Sequence, residues 1–118
     1  MNKVNAWSQK KENRRILVTE DTYRQEVLAS DLPVLVEFYA SWCGKCAMMQ
    51  ETVAQLAEEY QGIIKVCQID IDKSEVLAAQ FEVTEVPTFV IFVEGEPVAA
   101  ASGVVRKSML KKMIEDFK

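Results

Sequence analysis

An α/β domain built on a mixed β-sheet is the fold class this sequence predicts, and three observations carry it. Val34-Leu35-Val36-Glu37-Phe38-Tyr39 is a nearly continuous apolar run, the signature of a strand buried on both faces. Met49, Val53, Leu56, Ala57 and Tyr60 recur at the spacing of a single helical stripe. Thr88-Phe89-Val90-Ile91-Phe92-Val93 and residues 97–102 are two strand-like runs joined by Glu94-Gly95-Glu96, a connection short enough for a hairpin.

The remaining elements fall between these in order. Ile16-Leu17-Val18 predicts a short first strand. Thr19 is expected to cap a helix whose first turn carries Glu20 and Asp21, favoured near the positive end of the dipole. Tyr23, Val27 and Leu28 share one face of that helix, and Pro33 closes the connection to the apolar strand. The striped helix follows and stops at Gly62. Ile63-Ile64-Lys65-Val66-Cys67-Gln68-Ile69 is the next buried strand. A short helix over 74–81 turns Val76, Leu77 and Phe81 inward. Leu110, Met113, Ile114 and Phe117 make the core face of a last helix. The order is β-α-β-α-β-α-β-β-α, about five strands and four helices. Strands joined by helices are parallel and the final hairpin is antiparallel, so the sheet is mixed.

A chain of 118 residues has the length of one compact domain, and 49% hydrophobic residues can fill its core without a disulfide staple. Residues 1–13 are polar and unpatterned apart from Trp7, and read as a flexible N-terminal extension with Trp7 as a surface side chain. Residues 14–118 then form the single domain. A net charge of −4 gives no electrostatic reason to expect nucleic acid or an anionic membrane as partner. No apolar run approaches signal-peptide or membrane-span length, and three cysteines are too few for a secreted disulfide scaffold. A cytoplasmic monomer in a reducing compartment is the expected state.

Two of the three cysteines stand in Trp42-Cys43-Gly44-Lys45-Cys46. A pair at this spacing can bind a metal, staple the fold, or pass electrons by opening and closing a disulfide. Zinc needs four ligands, and the chain has no histidine and only Cys67 besides, set in mid-strand. A persistent staple is out of place in a reducing compartment. Redox work remains. The pair lies where the apolar strand hands over to a helix, and unsatisfied backbone N–H groups and the helix dipole there favour a thiolate at Cys43. The i, i+3 spacing sets both sulfurs on one face. Cys43, the more exposed, is expected to attack, and Cys46 to resolve the mixed disulfide.

These residues, together with Val86-Pro87-Thr88 before a buried strand and Gly103 after the last one, resemble the thioredoxin family from about Ile16 to Lys118. The resemblance implies the thioredoxin fold and a protein-disulfide reductase in which Cys43 is the nucleophile and Cys46 the resolving thiol, on either side of Gly44. It implies a cis bond before Pro87, and a substrate face made of Trp42, Ile71, Val86, Pro87, Thr88, Gly103 and Val104. No bound cofactor is implied, because both electrons are stored in a Cys43–Cys46 disulfide; NADPH enters only through a thioredoxin reductase or equivalent donor. The other partners implied are disulfide-containing client proteins.

Five departures from the family pattern modify this reading. Glu37 interrupts the most apolar strand, where the family carries an aspartate that handles the proton of the second cysteine. A buried carboxyl has the raised pKa that suits such exchange. The family's partner lysine falls on Gln68, which removes a charge that would keep Glu37 ionised. Lys45 replaces a proline; its ammonium stabilises the Cys43 thiolate and makes the couple more oxidising. Glu85, where glycine is common, adds a negative rim charge, and Glu51 replaces a kinking proline, which predicts a straighter helix. Cys67 reads as a small buried hydrophobe. Two rival functions stand beside the reductase: an oxidant or isomerase favoured by Lys45, and a non-catalytic interaction module on the same fold.

Overall fold

The computed structural model describes residues 14–118; the N-terminal extension with Trp7 lies outside the described residues. The elements are β1 (Arg15–Leu17), α1 (Arg24–Leu28, a single π-helical turn), β2 (Val34–Tyr39), α2 (Gly44–Glu59), β3 (Lys65–Asp70), α3 (Glu75–Gln80), β4 (Thr88–Val93), β5 (Glu96–Ser102) and α4 (Lys107–Phe117). They form one five-stranded sheet in the order β1-β3-β2-β4-β5. β1, β3 and β2 run parallel, while β4 and β5 join antiparallel. The mixed α/β architecture is the one the sequence predicts, but β4, reached from β3 through the helix α3, runs antiparallel to β2, where a helical connection is expected to leave strands parallel.

β2 is the central strand, and all but Tyr39 of its residues are buried. Alternation along it separates two cores. Val34, Val36 and Phe38 pack with Tyr23, Val27, Cys67, Ile69, Leu77 and Phe92 on the α1/α3 side. Leu35 packs with Met49, Val53, Leu56, Val66, Leu110 and Ile114 on the α2/α4 side. Glu37, two residues after Leu35, therefore takes a core position on the α2/α4 face. β4 and β5 meet through a two-residue turn in which Glu94 and Gly95 both have positive φ, 52° and 80°. That turn matches the right-handed twist of the hairpin strands.

Several local expectations are corrected. Thr19 does not cap a helix with its side chain. The Thr19 N–H donates to Thr22 Oγ1 at 3.0 Å, and α1 begins only at Arg24, so Glu20 and Asp21 lie in the preceding turn. Leu28 is 39% exposed and Val76 67% exposed, because α1 and α3 are so short that each buries little more than one turn's worth of face. β3 starts at Lys65; Ile63 remains in the turn after α2, where its N–H donates to Tyr60 O. α2 itself is one uninterrupted helix through Glu51.

Candidate active site: a dithiol at a helix N-terminus

Ala40, Ser41 and Trp42 carry the chain from the end of β2 to Cys43, which is the N-cap of α2 with extended φ and ψ of −88° and 113°. Serine, threonine, asparagine or aspartate usually supplies the capping acceptor. Here the Cys43 sulfur does so, accepting the Cys46 N–H at 3.1 Å. The helical spacing that brings Cys46 back under Cys43 is thus the same spacing that aims its N–H at the sulfur. Both thiols are free and buried, Cys43 at 8% exposure and Cys46 at 4%. Their shared pocket contains Ala40, with Tyr39, Ile71 and Val86 packed against it.

The two sides of the pair differ. On one side lies a shallow groove of about 360 Å³ lined by Trp42, Cys43, Gly44, Lys45, Ile71, Val86 and the Val83-Thr84-Glu85 loop. The Trp42 ring is 68% exposed, and its indole N–H donates to Asp72 Oδ2 at 2.7 Å. The Cys43 thiol donates to Val86 O at 3.5 Å, and the Val86–Pro87 bond that follows is cis. Pro87 and Thr88 brace this wall from behind. Pro87 O accepts the Gly103 N–H at 2.8 Å, and Thr88 Oγ1 donates to Glu85 O at 2.6 Å beside Ser102 Oγ. Gly103 makes its turn at φ +84°, where a side chain would be strained. Val104, next to it, is half exposed.

On the other side lies a polar cleft of about 390 Å³, lined by Cys43 and Cys46, by Glu37, Tyr39 and Gln68, by Arg15, and by Ser41 and Gln50. Glu37 is 1% exposed, and Gln68, its register partner on β3, donates from Nε2 to Oε1 at 2.8 Å. Burial pushes the Glu37 carboxyl above its usual range, while the Gln68 amide and the Arg15 charge oppose that rise. Burial likewise pushes the Cys46 thiol up to about 12, and the neighbouring Cys43 sulfur adds to the effect. Cys46 therefore needs help to lose its proton at neutral pH, and Glu37 lies in the same cleft.

Cys67 belongs to neither side. It is fully buried in the α1/α3 core, where burial pushes its thiol up to about 12. Among the described residues no group of histidine, cysteine, aspartate and glutamate side chains could hold a metal ion. No helix among them is long and apolar enough to cross a membrane. Of the substrate face expected from the sequence, Trp42, Ile71 and Val86 line the groove, whereas Pro87, Thr88, Gly103 and Val104 do not. Lys45, expected to tune the potential, lines it too. The sequence alone does not single out Arg15, Tyr39, Gln50 or Asp72. Arg15 becomes visible only through the pairing of β1 with β3, and no local signal marks Asp72.

A five-stranded mixed sheet with a cysteine pair capping the helix that leaves its central strand defines a class, the dithiol–disulfide oxidoreductases of this fold. Comparison with known proteins narrows the class. The thioredoxin family model matches residues 14–116. The chain is 42% identical to thioredoxin 1 of Nostoc sp. over 98 residues, covering 83% of this chain and 92% of the relative. It is 42% identical to thioredoxin of Porphyra purpurea over 100 residues, 85% of this chain and 94% of the relative. Against thioredoxin of Pseudomonas aeruginosa it is 36% identical over 98 residues, 83% and 91% of the two chains. The chain belongs to the thioredoxin family.

Proposed function

We propose that this protein is a cytoplasmic, monomeric reductase of protein disulfides. The observation that carries the reading is the Cys43 sulfur at the helix cap, holding the Cys46 N–H and facing a groove walled by Trp42 and Val86. A thiolate formed there is met by the Cys46 N–H and by the positive end of the α2 dipole.

In the first step the Cys43 thiolate attacks one sulfur of a client disulfide lying in the groove. A mixed disulfide forms and the first client thiolate leaves. In the second, the Glu37 carboxylate takes the proton of Cys46. The Cys46 thiolate then attacks Cys43 Sγ, the bond to the client breaks, and the second client thiolate leaves. The client has gained two electrons and the protein holds a Cys43–Cys46 disulfide, which a partner reductase returns to the dithiol with electrons from NADPH. The raised Cys46 and Glu37 pKa values support this division of labour, because a thiol held near 12 requires a nearby base. Insulin reduction driven by NADPH and a thioredoxin reductase tests the reading. The wild type turns over and Cys43→Ser does not; an inactive wild type would sink it.

Lys45 supports a second reading, a more oxidising couple that favours isomerisation, because it lines the groove from the first turn of α2, two residues after Cys43. The expected outcome is a higher reduction potential than that of Lys45→Pro in glutathione buffers. Equal potentials would remove this reading and leave the reductase.

A further inference from the structure

Arg15 is a half-buried cation that the chemistry above does not use. On β1 it is in register with Val66 of β3; two residues further along β3 stands Gln68, which pairs across to Glu37 on β2. Residues two apart on a strand share a face, and registered neighbours on adjacent strands do too. Arg15, Gln68 and Glu37 therefore stand on the α2 side of the sheet, and all three line the polar cleft that holds Cys46. The Arg15 Nε atom is buried without a hydrogen-bond acceptor among the described residues. An unpaired buried donor is costly, and a partly desolvated cation is favoured where an anion's field offsets its desolvation.

The groups that face Glu37 identify that anion. β3 presents the neutral Gln68 amide, β4 presents Phe89 in register, β2 itself presents Tyr39, and the start of α2 presents the two cysteine thiols. Arg15 is the cation among the residues lining the cleft, and Glu37 is their carboxylate. We propose that Arg15 is a positioning residue for the dithiol: acting across the Gln68 amide, its guanidinium holds the Glu37 carboxyl in the ionised form that accepts the Cys46 proton. The opposition of the Arg15 charge to the burial-driven rise at Glu37 supports this. Arg15 forms and breaks no bond. When the Cys46 proton passes to Glu37, the Cys46 electron pair goes to Cys43 Sγ and the client thiolate carries away the electrons of the broken bond.

The inference rests on the reading of Glu37 as proton acceptor, and the test separates the two. Infrared titration of the full chain, with Glu37→Gln identifying the carboxyl band, compares wild type, Arg15→Gln and Arg15→Lys. The midpoint moves to higher pH in Arg15→Gln and stays near wild type in Arg15→Lys. In parallel, a mixed disulfide between Cys43 and thionitrobenzoate is followed by absorbance as Cys46 resolves it. The rising limb of the pH profile moves to higher pH in Arg15→Gln. Its rate at neutral pH falls on the order of threefold, modest beside the roughly hundredfold loss of general-base catalysis in Glu37→Gln. Arg15→Lys restores the rate, and so does raising the pH of Arg15→Gln. An unchanged carboxyl midpoint in Arg15→Gln overturns the coupling itself. A shifted midpoint with wild-type resolution in Glu37→Gln at every pH overturns the proton-acceptor reading, and with it the role assigned to Arg15.

Discussion

The groove beside Cys43 and the cleft beside Cys46 are built from the same cap, yet they are opposite environments. The groove is shallow and largely apolar, with an exposed tryptophan and a braced loop, and Lys45, Thr84 and Glu85 are the polar residues of its lining. The cleft is polar and set into the sheet, with a carboxyl, an amide and a guanidinium from three adjacent strands. The difference teaches that one turn of helix can give two chemically identical thiols different surroundings. A sulfur that faces a groove can meet another protein, whereas a sulfur held near pKa 12 must be deprotonated from within.

The largest expected effect separates the two sulfurs. Cys43→Ser abolishes insulin reduction outright. Cys46→Ser still attacks and accumulates the mixed disulfide with the client, visible by mass spectrometry under non-reducing conditions. Equal trapping in both variants would erase the distinction between groove and cleft.

Next in size is Glu37→Gln, which slows resolution by roughly a hundredfold and leaves the initial attack by Cys43 near wild type. The same substitution has a stability signature. A carboxyl whose folded pKa is raised binds its proton more tightly in the folded state, so stability falls as pH rises from the unfolded value of 4.5 through the folded one. Denaturant midpoints should therefore decline across that window in the wild type and decline less in Glu37→Gln. Parallel pH dependences would show that the carboxyl is not buried in solution.

Trp42→Ala sharpens the comparison from the groove side. Removing an exposed aromatic that forms the wall should raise the KM for a protein client about fivefold, the ~1 kcal/mol expected of a contributing contact residue, with the pH profile of resolution unmoved. The smallest effect is expected at Cys67, outside both regions. Cys67→Ala removes one fully buried heavy atom and should cost about 1 kcal/mol of stability, comparable to an Ile→Val truncation, with insulin reduction unchanged. A loss of activity in that variant would mean a third cysteine takes part in exchange.

Legibility followed the length and burial of each element. β2 and α2 are readable because a run of apolar residues and a twelve-residue stripe each repeat one physical constraint several times over. The hairpin is readable because Glu94 and Gly95 occupy the two positive-φ positions of a two-residue turn. α1 and α3 are short, so Thr19, Leu28 and Val76 offered too few periods to fix a cap or a face. Cys43 and Cys46 announce themselves by spacing, and Glu37 by its polarity in an apolar strand. Asp72, which holds the Trp42 indole, lies thirty residues away from it and carries no local mark.

By itself the sequence determined the α/β class, the strand-to-helix setting of the dithiol and the carboxyl placed within the central strand. Each of these follows from local constraints: hydrophobic period, helix geometry and the cost of placing a charge among apolar neighbours. The tertiary structure decided which strands became neighbours; it set Gln68 against Glu37, as the family pattern implied, and it alone brought Arg15 to the same cleft. Pairing order is a property of the folded sheet, since each strand presents similar edges to any partner until packing of both faces selects the arrangement. The charge that most distinguishes the Cys46 side of the site therefore comes from an edge strand, β1, that reaches it only by pairing with β3.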